Sequence, residues 1–117
     1  MAVNVSIRVV GQTVCIQLSG ELDAPSVQEI RGRLEQACST SPSRIVLELQ
    51  ELRYMASAGI RLLLMLKQRA GAAAELVLVG AQGPVLQTLK ATGLHHSVTL
   101  LDSLPEDLAA VPQRASA

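Results

Sequence analysis

The sequence has no tryptophan and no phenylalanine, and Tyr54 is its single aromatic residue. Base and sugar stacking need exposed rings, so recognition of single-stranded nucleic acid by stacking is excluded. Ten basic and ten acidic side chains cancel, and the cations never gather into a run that would neutralise a row of phosphates. No nucleic-acid partner is expected. Long apolar runs are missing too: none reaches the roughly 18 residues that span a bilayer. Met1 to Arg8 lacks the basic segment followed by an apolar one that marks a secretory leader. These features predict a cytoplasmic protein without membrane insertion.

Cysteine is scarce as well. Cys15 falls in a predicted strand and Cys38 near the end of a predicted helix, without the close pairing of zinc ligands or redox motifs. They read as buried free thiols. His95-His96 has no neighbouring Cys or His to complete a metal set, and no Ser/His/acid order stands out, so both are expected in a surface turn. No Walker-type or dinucleotide-type glycine loop occurs, since Gly80 and Gly83 lack both the spacing and the lysine that cradle phosphates. No cofactor, no metal and no enzymatic activity are therefore expected.

What remains is a chain of 117 residues, 49% apolar and 17% charged, with the apolar residues in short runs throughout. That length suits one domain with one core and needs no disulfide or metal.

Val3, Val5, Ile7 and Val9 alternate with Asn4, Ser6 and Arg8, and Val14, Ile16 and Leu18 repeat the period-2 pattern after Gly11-Gln12, which predicts an antiparallel hairpin. Asp23 before Pro25 supplies a carboxylate cap and a fixed φ for a first helical turn. Val27, Ile30, Leu34 and Ala37 then recur at helical spacing. After the polar loop Ser39 to Ser43, Ile45, Val46, Leu47 and Leu49 read as a strand buried on both faces. Ile60 to Ala70 is a second helix, entered through Ala56-Ser57-Ala58-Gly59. Glu75 to Val79 is a strand, Gly83-Pro84 opens a third helix that Gly93 stops, and Val98 to Leu101 is a last strand. Leu104 to Val111 is expected as a last helix, with Ser103 as its cap and Pro105 in its first turn. The sum is an α/β fold of order β-β-α-β-α-β-α-β-α. Its mixed sheet has about five strands and is packed with about four helices.

That order of elements carries specific local motifs. Leu18-Ser19-Gly20-Glu21-Leu22-Asp23 follows the second strand and Met55-Ala56-Ser57-Ala58-Gly59-Ile60 opens the second helix. Leu76-Val77-Leu78-Val79-Gly80, Pro84-Val85, Thr92-Gly93-Leu94 and Asp102-Ser103-Leu104 then follow in the same order as in a known family. The chain resembles the STAS family of anti-sigma factor antagonists over residues 1–111, with 112–117 left as a flexible C-terminal tail. The resemblance implies partner switching. The unphosphorylated protein binds an anti-sigma factor that is also a serine kinase, phosphorylation releases it, and a PP2C-type phosphatase resets it. In the family the phosphoacceptor is the Ser directly after an Asp and two residues before a Gly. The matching position is Ser57, and the family Asp is replaced by Ala56.

On physical grounds Ser57 suits two roles, a cap at or next to the start of a helix and an accessible phosphoacceptor. Ala56, Ala58 and Gly59 keep the surroundings small, for a close partner or for tight packing. The apolar residues of Ile60 to Leu66 exceed one helix stripe, which predicts a partly exposed docking patch. Arg61, Lys67 and Arg69 are candidates for pairing with partner carboxylates, or solvated helix charges. Asp23 suits a helix cap or a partner contact. The partner-binding set is thus Asp23, Ala56, Ser57, Ala58, Gly59, Ile60, Arg61 and Leu64. Without phosphorylation, the same domain serves as a scaffold or accessory subunit of a signalling or transport assembly.

Overall fold

The computed structural model describes residues 3–109. The alternating segments form strands β1 (Val3–Val10) and β2 (Thr13–Leu22), antiparallel with Val10 opposite Thr13 across the predicted turn. Helix α1 (Ala24–Cys38) leads to β3 (Arg44–Met55), α2 (Ser57–Ala70), β4 (Glu75–Val79) and α3 (Gly83–Thr92). A short 3-10 turn (Leu94–His96), β5 (Thr99–Leu101) and α4 (Glu106–Ala109) complete the described chain. The sheet has five strands in the order β1-β2-β3-β4-β5, parallel from β2 onward. This is the mixed sheet and element order that the hydrophobic periodicity predicts.

Alternation along the strands divides the core in two. Val14, Ile16, Leu18, Ile45, Leu47, Leu49, Leu76 and Leu78 point to the face that α1, α2 and α3 cover. Cys15, Val46, Val77 and Val79 point to the other face, where Leu108 of α4 and Leu104 cover them. Both cysteines are free and buried, and desolvation pushes the Cys38 thiol up to about 11.

Several boundaries differ from expectation for identifiable reasons. Strand β3 runs on to Met55 because its second half keeps pairing with β2, as far as Leu22 opposite Met55, after β4 has ended at Val79 opposite Glu48. Gly20, with φ +96°, marks the bulge region that keeps the two strands in step there. Val9 was expected on the buried face with Val5 and Ile7 but is 64% exposed. It stands at the hairpin end of an edge strand, where no helix covers it. Helix α4 starts at Glu106 rather than Leu104. The residue before a proline is pushed out of the helical region, and the Pro105 carbonyl accepts from Leu108 and Ala109 N–H. The end of that expected helix (Ala110–Val111) and the expected tail, 112–117, lie outside the described residues.

Candidate functional site

Strands β2 and β3 are parallel neighbours that end side by side, Leu22 opposite Met55, and each is followed within two residues by a helix. The N-termini of α1 and α2 therefore meet at one edge of the sheet. The Ala56 N–H donates to the Leu22 carbonyl at 2.9 Å and ties the two turns together. Asp23 and Ser57, 34 positions apart in the numbering, become neighbours through this topology alone.

Asp23 is the N-cap of α1. Its carboxylate accepts from the Ser26 N–H at 3.0 Å and from Ser26 Oγ at 2.7 Å. These two bonds hold its carboxyl below the ordinary value of 3.8. Pro25 occupies the first turn, as predicted. Of the two roles open to Asp23 in the sequence, the cap is the one its hydrogen bonds carry.

Helix α2 begins differently. Its N-cap residue is Ala56, extended at φ −84°, ψ 173°, and no side chain caps it. Ser57 is the first helical residue and is exposed. The turn is close-packed beneath it. A Cβ on Gly59 would lie 2.7 Å from Met55 Cγ and 3.0 Å from Leu22 Cδ2, so the first turn of α2 rests directly on the ends of both strands.

The residues expected to meet a partner separate into two sets. Ser57, Arg61 and Leu64, at positions i, i+4 and i+7, share one exposed stripe of α2. Ala58, Gly59 and Ile60 were expected at the contact but are buried in the protein itself, Ile60 to 6% exposure. They shape the turn from below. The expected apolar docking patch also contracts. Ile60, Leu62, Leu63 and Leu66 are buried, and Leu64 is the large side chain left open, at 43%. Two of the three candidate cations are engaged within the chain: Lys67 Nζ donates to the Ala74 carbonyl at 2.8 Å, and Arg69 pairs with Glu35 at 2.7 Å. Among the described residues Arg61 has no ion pair.

Tyr54 was not among the expected site residues, yet it is 45% exposed on the overhanging end of β3, three residues before Ser57. His95 and His96 lie in the turn after α3 with ring centroids 3.8 Å apart and tilted by 39°, and no group of three potential metal ligands occurs among the described residues.

The strand order carries a chemical consequence. In open α/β sheets small ligands bind where the order of winding reverses and neighbouring loops part. Here every strand lies next to its sequence neighbour and the winding never reverses. The described strands therefore lack the crevice that such a reversal opens. Among the described residues no helix is long and apolar enough to cross a membrane.

A model of the STAS domain matches residues 4–106. The chain belongs to the STAS domain family. It is similar in structure to an anti-sigma factor antagonist from Mycobacterium paratuberculosis, with a TM-score of 0.81 at 19% identity, over 93% of each chain. The unphosphorylated form of the anti-sigma factor antagonist SpoIIAA aligns with a TM-score of 0.73 at 25% identity, over 91% of this chain and 92% of its own. The phosphorylated form of SpoIIAA, described as a Bacillus cell fate determinant, aligns with a TM-score of 0.67, over 91% of this chain and 96% of its own.

Proposed function

We propose that this chain is an anti-sigma factor antagonist that acts by binding and is controlled at Ser57. The carrying observation is the placement of Ser57. It is exposed, it opens α2, and it lies on the stripe that holds Arg61 and Leu64. It also occupies the position at which members of this family accept phosphate. Similarity to SpoIIAA, known in phosphorylated and unphosphorylated forms, supports the reading.

In this cycle the unphosphorylated surface holds an anti-sigma factor with serine-kinase activity, which frees the sigma factor. The partner binds ATP and transfers its γ-phosphoryl group to Ser57 Oγ; the bond to the β-phosphate breaks, ADP leaves, and the hydroxyl proton passes to a base of the kinase. The product carries about −1.5 to −2 extra charges where the first turn of a helix favours anions, so the domain stays folded. The complex does not survive, because the new charge must be desolvated against the partner. A tenfold loss of affinity requires only about 1.4 kcal/mol. A PP2C-type phosphatase returns the chain to its binding form.

The test incubates the chain with serine-kinase anti-sigma factors of the source organism and ATP, beside a known antagonist as positive control. Intact mass and peptide mapping should place one phosphate on Ser57. Labelling of the control alone would refute the switch.

Ala56 favours a second reading. Where the family carries a carboxylate beside the acceptor, this chain has a methyl group, which neither orients the Ser57 hydroxyl nor contacts a kinase. A non-phosphorylated STAS scaffold in a signalling or transport assembly fits that substitution. Equal partner affinity for wild type, Ser57→Ala and Ser57→Asp would favour the scaffold, and selective loss in Ser57→Asp would favour the switch.

A further inference from the structure

We infer that the groove between α1 and α2, which opens beside Ser57, seats an acidic amphipathic segment of the partner protein. One or two aliphatic side chains enter it, and flanking carboxylates meet Arg31 and Arg61. This rests on the reading that the Ser57 surface is the partner-binding surface, and it specifies the chemistry of what binds there.

The groove has a volume of about 330 Å³, with Val27 and Arg31 on the α1 side and Ala58, Arg61, Leu62 and Met65 on the α2 side. That is the low end for small-molecule sites and suits a few inserted side chains. It is continuous with the proposed switch, because Ala58 follows Ser57 directly. Its accessible apolar lining comes from the half-buried Val27 and Met65, over the buried Leu62. Its charged lining residues are both arginines, with no carboxylate among them, in a chain whose net charge is zero.

Both guanidinium groups are available. Arg61 is exposed and has no ion pair among the described residues. Arg31 is 59% exposed along its side chain and reaches Glu35 only at 3.5 Å, whereas Glu35 is held at 2.7 Å by Arg69. Arg31 can therefore turn to an incoming carboxylate while Glu35 keeps its closer partner. An apolar groove between two helices, flanked by two forked cations, is complementary to an amphipathic helix with acidic flanks. It repels a basic one.

The test titrates the full chain with a helical peptide carrying Leu on one face and Glu elsewhere, and with a matched peptide carrying Lys in place of Glu, following backbone amide chemical shifts. The Glu peptide should move the amides of Val27–Arg31 and Arg61–Met65, and the Lys peptide should leave them in place. An Arg31→Glu, Arg61→Glu double variant that keeps the wild-type urea midpoint should bind the Glu peptide at least roughly tenfold more weakly. Absence of groove shifts, equal response to both peptides, or undiminished binding by the double variant overturns the inference. So do groove shifts that track protein concentration without peptide, which would assign the groove to a second copy. The kinase assay separates this inference from the reading beneath it. A seated Glu peptide with no kinase binding removes the Ser57 reading and leaves the groove. Equal kinase affinity for wild type and the double variant removes the groove and leaves Ser57.

Discussion

Alanine in place of Gly32, in the middle of α1, and alanine in place of Gly59, in the first turn of α2, are the same chemical change within a helix, and they should shift stability in opposite directions. Gly32 is exposed on α1 and a Cβ there would meet nothing within 4 Å. The variant gains the intrinsic helical preference of alanine, about 1 kcal/mol. With a urea m-value of roughly 1.5 kcal/mol/M, the midpoint rises by about 0.7 M. At Gly59 the same gain is opposed by a methyl group placed 2.7 Å from Met55 Cγ, near the root of a side chain that is 1% exposed. Leu22, fully buried, closes the other side. Overpacking of this kind costs about 1–3 kcal/mol, and so close an approach belongs in the upper part of that range. We expect a net loss of about 1–2 kcal/mol for Gly59→Ala, leaving the two variants about 2–3 kcal/mol apart. Urea unfolding of wild type and both variants, with m-values compared to verify two-state behaviour, measures the difference. A midpoint for Gly59→Ala as high as that of Gly32→Ala would refute the packing of α2 onto the ends of β2 and β3. It would remove the account of how Ser57 is held.

Restoring the family acid with Ala56→Asp should add the side-chain cap that α2 lacks and raise stability by about 1 kcal/mol in the same assay, because an N-cap carboxylate accepts from a free N–H of the first turn. It should also speed phosphate incorporation at Ser57. Neither cysteine should react with a thiol reagent in the native state, since burial raises both thiols above their ordinary value, so the modification rate should follow unfolding as urea is added. The carboxyls of Asp23, Glu35 and Asp107 are lowered mainly by hydrogen bonds from Ser26, Arg69 and Arg44 respectively. Their folded values lie below their unfolded ones, so their contribution is complete above the ordinary carboxyl values of 3.8 and 4.5 and is lost as pH falls through the depressed values. Asp107 is exposed and Glu35 half-buried, so added salt should reduce the parts that come from Arg44 and, less strongly, from Arg69. Urea midpoints at neutral and acidic pH, with and without salt, read this directly. A midpoint that rises on acidification would contradict it.

What the sequence made legible was local. The Asp23 cap, the Pro25 first turn, the stop at Gly93 and the strand Glu75–Val79 each depend on a few adjacent residues, and each is present as expected. The second half of β3 was hidden because Gln50, Glu51, Arg53 and Tyr54 are exposed on a strand that has lost one neighbour, so no buried run betrays it. The surplus of leucines in α2 misled in the opposite sense. The helix buries one face on the sheet and another toward α1, and two buried faces account for residues that a single stripe could not. The groove was out of reach for a different reason: Val27 and Met65 belong to separate helices, and nothing local marks that they will face each other.

The unreversed strand order has a bearing on synthesis. Each strand from β2 to β5 pairs with the one made immediately before it, and none has to wait for a later segment to be inserted between two already formed. The sheet can therefore extend one strand at a time as the chain leaves the ribosome, beginning with the β1–β2 hairpin. The Ser57 surface needs β2, α1, β3 and the start of α2, which places it among the earlier parts of the molecule to take shape. Truncations from the C-terminal side should lose the β5 edge before they lose that surface.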